Sequence, residues 1–274
     1  MSIVNSRSYL FVPASRPERI AKAIGSGADA VIVDFEDAVA PVDKEQAREG
    51  LVAPWAKLCV HAAAANVAML VRINGADTAY YEDDLAWCSS EGVSDVVLPK
   101  ADAAGVNALV AALPGVRCFP LVENAAGFAG LRELANAGNV VRLLFGSIDL
   151  MFDLDIQDEC EALNYFRSRL VFHSRAAGLL APVDGVCTAI GDDAALAAET
   201  RRARAFGFGA KLLIHPGQVR GVHDGLAPSV AERRWAERVT AAAAAANGAA
   251  VAMEGKMVDR PVLERARRIL SRTS

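Results

Sequence analysis

Phe119-Pro120-Leu121-Val122-Glu123 and Val140-Val141-Arg142-Leu143-Leu144-Phe145-Gly146 are apolar runs followed closely by acids: Glu123 closes the first, and Asp149 lies just past the second. Between them, Asn124-Ala125-Ala126-Gly127 leads into a helical segment. Strand, helix, strand in that order reads as a parallel β-α-β unit, whose strands exit at the same end of the sheet. Two carboxylates meeting there outline a divalent-cation site.

The same alternation runs through most of the chain. Strands are expected near Ser8–Ala14, Ala30–Glu36, Ala68–Asn74, Asp95–Lys100, Arg117–Glu123, Val140–Gly146, Pro182–Cys187 and Lys211–Pro216. They are apolar without a two-residue alternation, as in sheets covered on both faces. Helical stretches such as Arg16–Ser26 and Asp193–Phe206 lie between them. Eight such repeats within 274 residues suit a closed (β/α)8 (TIM) barrel. An open doubly wound sheet would carry Gly-x-Gly-x-x-Gly after its first strand. Here that position reads Val12-Pro13-Ala14-Ser15-Arg16-Pro17, which favours the barrel. The barrel is expected over residues 1–226, and 227–274 form a C-terminal helix-hairpin-helix extension. Its elements are a helix over Ser229–Ala246 stopped by Asn247-Gly248, strands Ala250–Met253 and Lys256–Val258 flanking Glu254-Gly255, and a last helix from Arg260-Pro261.

Composition narrows the function. The chain is 53% hydrophobic and 23% charged with a net charge of -4, which suits a globular protein and gives no reason to expect a nucleic-acid partner. Five scattered cysteines without a Cys-x-x-Cys pair read as reduced thiols rather than a disulfide framework or a zinc site. No signal-peptide core and no spanning segment of about 18 apolar residues is present, so no membrane association is expected. The protein reads as soluble and cytoplasmic.

Active sites of such barrels lie at the C-terminal ends of the strands, and each end here carries an ionisable group. In chain order these are Arg16, Glu36 with Asp37, Arg72, Lys100, Glu123, Asp149, Asp184 and His215. Glu123 and Asp149 fit Mg2+, which takes one or two carboxylates and fills its remaining positions with water and substrate oxygens. The bare sequence equally allows two loop acids paired with arginines. Glu36 and Asp37 raise the local carboxylate count to four, and Arg72 meets the resulting need for positive charge. Arg72 would either bind a substrate carboxylate or developing enolate, or form a structural ion pair with those acids. Lys100 among acids keeps its proton, which favours an electrostatic or phosphate role over a Schiff base. His215 reads as a packed structural residue, and His61, His173 and His223 have no partner context.

These motifs together resemble the citrate lyase β-subunit-like, or CoA ester lyase, group of the HpcH/HpaI aldolase superfamily over nearly the full length. The matching stretches include Ser8-Tyr9-Leu10-Phe11-Val12-Pro13, Asp34-Phe35-Glu36-Asp37-Ala38-Val39-Ala40-Pro41, Val71-Arg72-Ile73-Asn74, Leu98-Pro99-Lys100, Val122-Glu123-Asn124, Gly146-Ser147-Ile148-Asp149 and Gly255-Lys256-Met257-Val258-Asp259. The resemblance implies a (β/α)8 barrel with Mg2+ on Glu123 and Asp149 and with Arg72 on the substrate. It implies that Phe11, Arg16 and Lys22 hold a CoA thioester, and that Asp259 moves a proton in a neighbouring subunit's site, in homotrimers or hexamers. The implied reaction is reversible carbon–carbon cleavage of a 3-hydroxyacyl-CoA such as malyl-, citramalyl- or citryl-CoA, giving an acyl-CoA and a 2-oxo acid. Leu150-Met151-Phe152-Asp153-Leu154-Asp155 departs from the small-residue loop of malyl-CoA lyases and leaves the acyl group open. Alternatives are a citrate lyase β subunit acting on citryl-acyl-carrier protein, an aldolase of free 2-oxo-3-deoxy acids, which would need a histidine near the end of strand 2, and a non-catalytic barrel subunit.

Overall fold

Eight parallel strands close into a barrel: β1 (Ser8–Pro13), β2 (Ala30–Asp34), β3 (Ala68–Arg72), β4 (Asp95–Leu98), β5 (Arg117–Val122), β6 (Leu144–Phe145), β7 (Val183–Asp184) and β8 (Ala210–Leu213). The structure is a computed structural model and describes residues 3–157, 161–245, 251–253 and 256–271. The chain divides into two compact units, Met1–Gly225 and Leu226–Ser274. The helices are α1 (Pro17–Ile24), α2 (Lys44–Ala64), α3 (Tyr81–Ser90), α4 (Ala103–Ala112), α5 (Ala125–Ala129), α6 (Leu131–Ala135), α7 (Ser147–Asp153), α8 (Asn164–Ala176), α9 (Asp193–Phe206), α10 (Gln218–Leu226), α11 (Val230–Ala245) and α12 (Arg260–Ser271). No helix among the described residues is long and apolar enough to cross a membrane.

The lack of alternation in the strands has a direct cause. Tyr9, Ile32, Leu70, Val97, Phe119, Leu121, Leu144, Val183, Ala210 and Leu212 pack together inside the barrel. The residues between them, such as Val31, Val33, Val71 and Val96, are also fully buried, as strands covered on both faces require. The expected strands are found, but each regular ladder stops short of its expected C-terminal end, because the last residues turn into the rim loops. The run from Val140 is the most shortened. Val140 makes an isolated bridge to Cys118, and the ladder resumes only at Leu144. Between them the Arg142 guanidinium donates to the Ala181 and Ser6 carbonyls and to the Tyr9 hydroxyl, closing the N-terminal end of the barrel.

Strand phase decides which rim residues face inward. In β2 and β3 the inward residues Ile32 and Leu70 are each followed two positions later by Asp34 and Arg72, which are register partners. Glu123 follows Leu121 in the same phase. Asp184 is out of phase: Val183 faces the interior, so Asp184 points outward beneath the helices. Its expected place at the catalytic mouth is therefore corrected. It pairs with Lys211 on β8 at 3.2 Å and with Arg167 of α8 at 3.2 Å, and all three side chains are 1% exposed. Glu199 of α9 joins Lys211 at 3.1 Å. His223 also has a partner the sequence did not suggest: its Nε2 lies 2.9 Å from Ser8 Oγ and 3.1 Å from Asp29 Oδ2.

In the second unit, α11 and α12 pack on each other, and Val251–Met253 pairs antiparallel with Lys256–Val258. Ala236, Val239, Ala243, Val258, Ala266 and Ile269 form its core. The expected stop at Asn247-Gly248 and turn at Glu254-Gly255 lie outside the described residues.

Replacing Asp184 with Ala leaves two buried cations without that acid and should lower the unfolding free energy by about 3–5 kcal/mol in a urea titration. Asp184→Ala/Lys211→Met should recover part of the loss.

Candidate active site

The inward phase of six strands delivers Phe11, Asp34, Arg72, Glu123, Gly146 and Ile214 to the C-terminal rim, where they line a cavity of about 310 Å3. Asp37, Ser147, Ile148 and Asp149 complete its polar and upper walls, and Leu121, Phe145, Val186 and Leu212 form its apolar base. The cavity thus joins a hydrophobic floor to a charged mouth, the usual composition of a small-ligand site.

Arg72 organises the charge. Its Nε and Nη2 donate to the two oxygens of Asp34 at 2.7 and 2.6 Å, a bidentate pair fixed by the β2–β3 register. Nη1 reaches Glu36 at 3.0 Å and Asp37 at 3.4 Å, and the guanidinium lies over the Phe11 ring, 4.7 Å from its centroid. Burial opposes the charge on Arg72, but Asp34, Glu36 and Asp37 outweigh it and raise its pKa, so the cation is permanent. The loops carrying these acids are held from behind. Lys44 donates to the carbonyls of Phe35 and Glu36 at 2.8 and 2.9 Å. Asp84 accepts from the backbone and side chain of Asn74 and from Arg48.

Glu123 and Asp149 are brought to the same cavity from β5 and from the first turn of α7. Glu123 is 3% exposed, and its Oε1 accepts the Lys100 backbone N–H at 2.7 Å. Lys100 adopts a φ of 47°, a left-handed conformation unusual for a lysine. Gly146 is required beside Glu123: a Cβ there would collide with the Glu123 Cβ and lie 2.7 Å from its Oε2. Burial, followed by the charge of Glu36, pushes the Glu123 carboxyl up to about 8. Burial, opposed by Arg72 and reinforced by Asp37, raises Glu36 to about 7. Asp149 is raised by burial and then by Asp37. Asp34, Glu36, Asp37, Glu123 and Asp149 thus gather near one buried guanidinium, and burial first, then neighbouring acids, raises the carboxyls of Glu36, Glu123 and Asp149.

Among the described residues no group of three or more His, Cys, Asp or Glu is arranged to enclose a metal ion. Mg2+ needs no such cage, because it takes one or two carboxylates and completes its shell with other oxygens. Glu123 and Asp149, which line one cavity, fit such an ion. Ser147 Oγ, buried in the cavity wall, has no hydrogen-bond partner among the described residues and adds a further polar atom there.

The other expected site residues are distributed as follows. Phe11 lies under Arg72, whereas Arg16 and Lys22 are exposed at the start and last turn of α1. The exposed Lys100 meets the site through its backbone as well as its charge. Glu36 and Asp37 are separated: Asp37 faces the cavity, and Glu36 is buried against Arg72. His215, expected to be packed, is exposed, and its Nδ1 accepts the Gly217 N–H at 3.1 Å. Asp259, in the second unit, caps α12 by accepting the Val262 N–H at 3.2 Å. The sequence reading missed Asp34 as a site residue. Its position two residues after Ile32, opposite Arg72, was the available signal.

Residues 7–216 match the family model described as HpcH/HpaI aldolase/citrate lyase. A citrate lyase subunit beta-like protein of Deinococcus radiodurans is 37% identical, over 97% of this chain and 96% of its own. A (3S)-malyl-CoA thioesterase of Cereibacter sphaeroides is 34% identical, over 97% of this chain and 94% of its own. Protein CitE of Mycobacterium tuberculosis, in a crystal structure with magnesium, acetoacetate and coenzyme A, superimposes with a TM-score of 0.85 at 34% identity, covering 98% of this chain and 99% of that one.

The raised carboxyls make stability depend on pH. Glu123 protonates at about 8 in the folded chain against an ordinary value of 4.5, so folding binds a proton between those limits. Its contribution to stability is complete below pH 4.5 and is lost as the pH rises through about 8. Glu123→Gln should therefore flatten the fall in Tm of EDTA-treated protein across that window, whereas identical falls in both proteins would assign the effect to other groups.

Proposed function

The chain belongs to the HpcH/HpaI aldolase/citrate lyase family, a family of carbon–carbon lyases, and on that premise we propose that its barrel cleaves a 3-hydroxyacyl-CoA thioester to an acyl-CoA and a 2-oxo acid. The observation that carries this reading is the convergence of Glu123 and Asp149 with Arg72 on one cavity with a charged mouth and an apolar base. Glu123 and Asp149 would hold Mg2+, in keeping with the magnesium found in the related CitE structures. The bound ion would make the substrate hydroxyl more acidic and stabilise negative charge on its oxygen.

The chain's own residues supply the rest. Arg72, held by Asp34 and Glu36, presents a fixed positive charge to a substrate carboxylate or enolate oxygen. Asp37, at the mouth and weakly engaged with Arg72, accepts the hydroxyl proton, with Glu36 supporting it through the shared guanidinium. Loss of that proton breaks the carbon–carbon bond, and the thioester fragment departs as an enolate that takes a proton on carbon. Asp259 of a second copy would deliver that proton, in a homotrimer or hexamer. Phe11, Arg16, Lys22 and Lys100 would hold the CoA portion.

The (3S)-malyl-CoA thioesterase relatives favour a second reading, hydrolysis of the same thioester. The product separates the two: a 2-oxo acid with acyl-CoA for cleavage, a free hydroxy acid with CoA for hydrolysis. A citrate lyase β-subunit role would instead require a citryl-acyl-carrier protein.

Incubation of the isolated chain with malyl-, citramalyl- and citryl-CoA should release a 2-oxo acid from at least one of them only when Mg2+ is present. Glu123→Ala and Asp149→Ala should abolish that release, and Gly146→Ala should mimic the loss of Glu123. Arg72→Ala should lower kcat by roughly 10²–10³-fold with Mg2+ binding retained. Full Mg-dependent activity in Glu123→Ala or Asp149→Ala would reject the metal assignment.

A further inference from the structure

Asp153 ends α7, four residues after Asp149, so the two carboxylates lie on one helix face. It belongs to the Leu150–Asp155 segment, to which the proposed chemistry assigns no role. Its side chain reaches the loop after β5, where Oδ2 accepts the Ala125 backbone N–H at 2.7 Å. Ala125 is the first residue of α5, two residues after Glu123, and the intervening Asn124 caps the same helix through Gly127 at 2.8 Å. The β5–β6 backbone ladder ends just before this point, with the Gly146 N–H on the Val122 carbonyl at 3.0 Å. Past that bond Glu123 leads into α5, and Asp149 lies in the first turn of α7.

We propose that Asp153 is a positioning residue: by joining α7 to the start of α5, it fixes the separation of Glu123 and Asp149 and so sets the affinity of the site for a divalent cation. This inference rests on the metal assignment made above. Its bond partner is a backbone amide rather than a ligand, so Asp153 acts through geometry. An acceptor oxygen without charge therefore suffices, and an exchange to Asn preserves the clasp that an exchange to Ala removes. The short side chain and the 2.7 Å bond leave little slack, whereas a free Glu123 loop would have to be ordered again each time the ion bound.

The test is calorimetric titration of MgCl2 into EDTA-stripped full-length protein, for wild type, Asp153→Ala, Asp153→Asn and Asp192→Ala. The last removes an ordinary helix cap, the bond from Ala195 N–H to Asp192, and reports generic destabilisation. Asp153→Ala should weaken Mg2+ binding roughly tenfold, while Asp153→Asn and Asp192→Ala stay within about threefold of wild type. Amide exchange of the 119–130 segment in the metal-free protein should be faster in Asp153→Ala alone. Unchanged Mg2+ affinity in Asp153→Ala overturns the proposal, as does equal weakening in the Asn variant, which would indicate charge rather than clasp. A wild type that binds no Mg2+ overturns the metal assignment and this inference together.

Discussion

The ion pair between Arg72 and Asp34 is the interaction around which the mouth of the barrel is built. It is made by register: two neighbouring parallel strands present their last inward residues side by side, one acidic and one basic. A guanidinium so placed is buried and needs acids to remain charged, and Asp34, Glu36 and Asp37 meet that need while using several of its donors. The pair therefore serves as a pedestal. It holds one positive charge at the rim, over the Phe11 ring, with Glu36 buried against it and Asp37 exposed beside it. Cutting the pair would release a buried carboxylate as well as a cation, which is costlier than losing a surface contact.

The opposite wall works in the contrary sense. Glu123 and Asp149 face the cavity without an ion pair among the described residues, and burial together with neighbouring acids raises their carboxyls. The site is thus a charge gradient, satisfied around Arg72 and unsatisfied around Glu123. A dication and an anionic oxygen donor would each find their complement in it. The polar supports behind β2 and β3, Lys44 on the loop carbonyls and Asp84 on Asn74, hold the satisfied side in place.

Much of this was legible in the residues, for identifiable reasons. Apolar runs without alternation signalled strands covered on both faces, and the closed barrel has that arrangement. The acids that follow Leu121 and Phe145 signalled a convergent pair because parallel strands share an exit. What the sequence did not carry was phase and distance. Asp184 looked like another rim acid, yet a one-residue offset from Val183 turns it outward onto Lys211 and Arg167. Asp34 was overlooked because Glu36 and Asp37 drew attention to the loop, although Asp34 shares the inward phase of Ile32. His223 seemed isolated because Ser8 and Asp29 lie some two hundred positions away. The ladder at β6 shrank because Arg142, inside an apolar run, spends its donors on carbonyls at the far end of the barrel.

That same Arg142, wedged with Tyr9 at the end remote from the rim, turns the barrel into a cup with a plugged base. A cup fills and empties over a single lip. Any ligand of the cavity therefore enters and leaves past Arg72, Asp37 and Asp149, a constraint set by the scaffold itself.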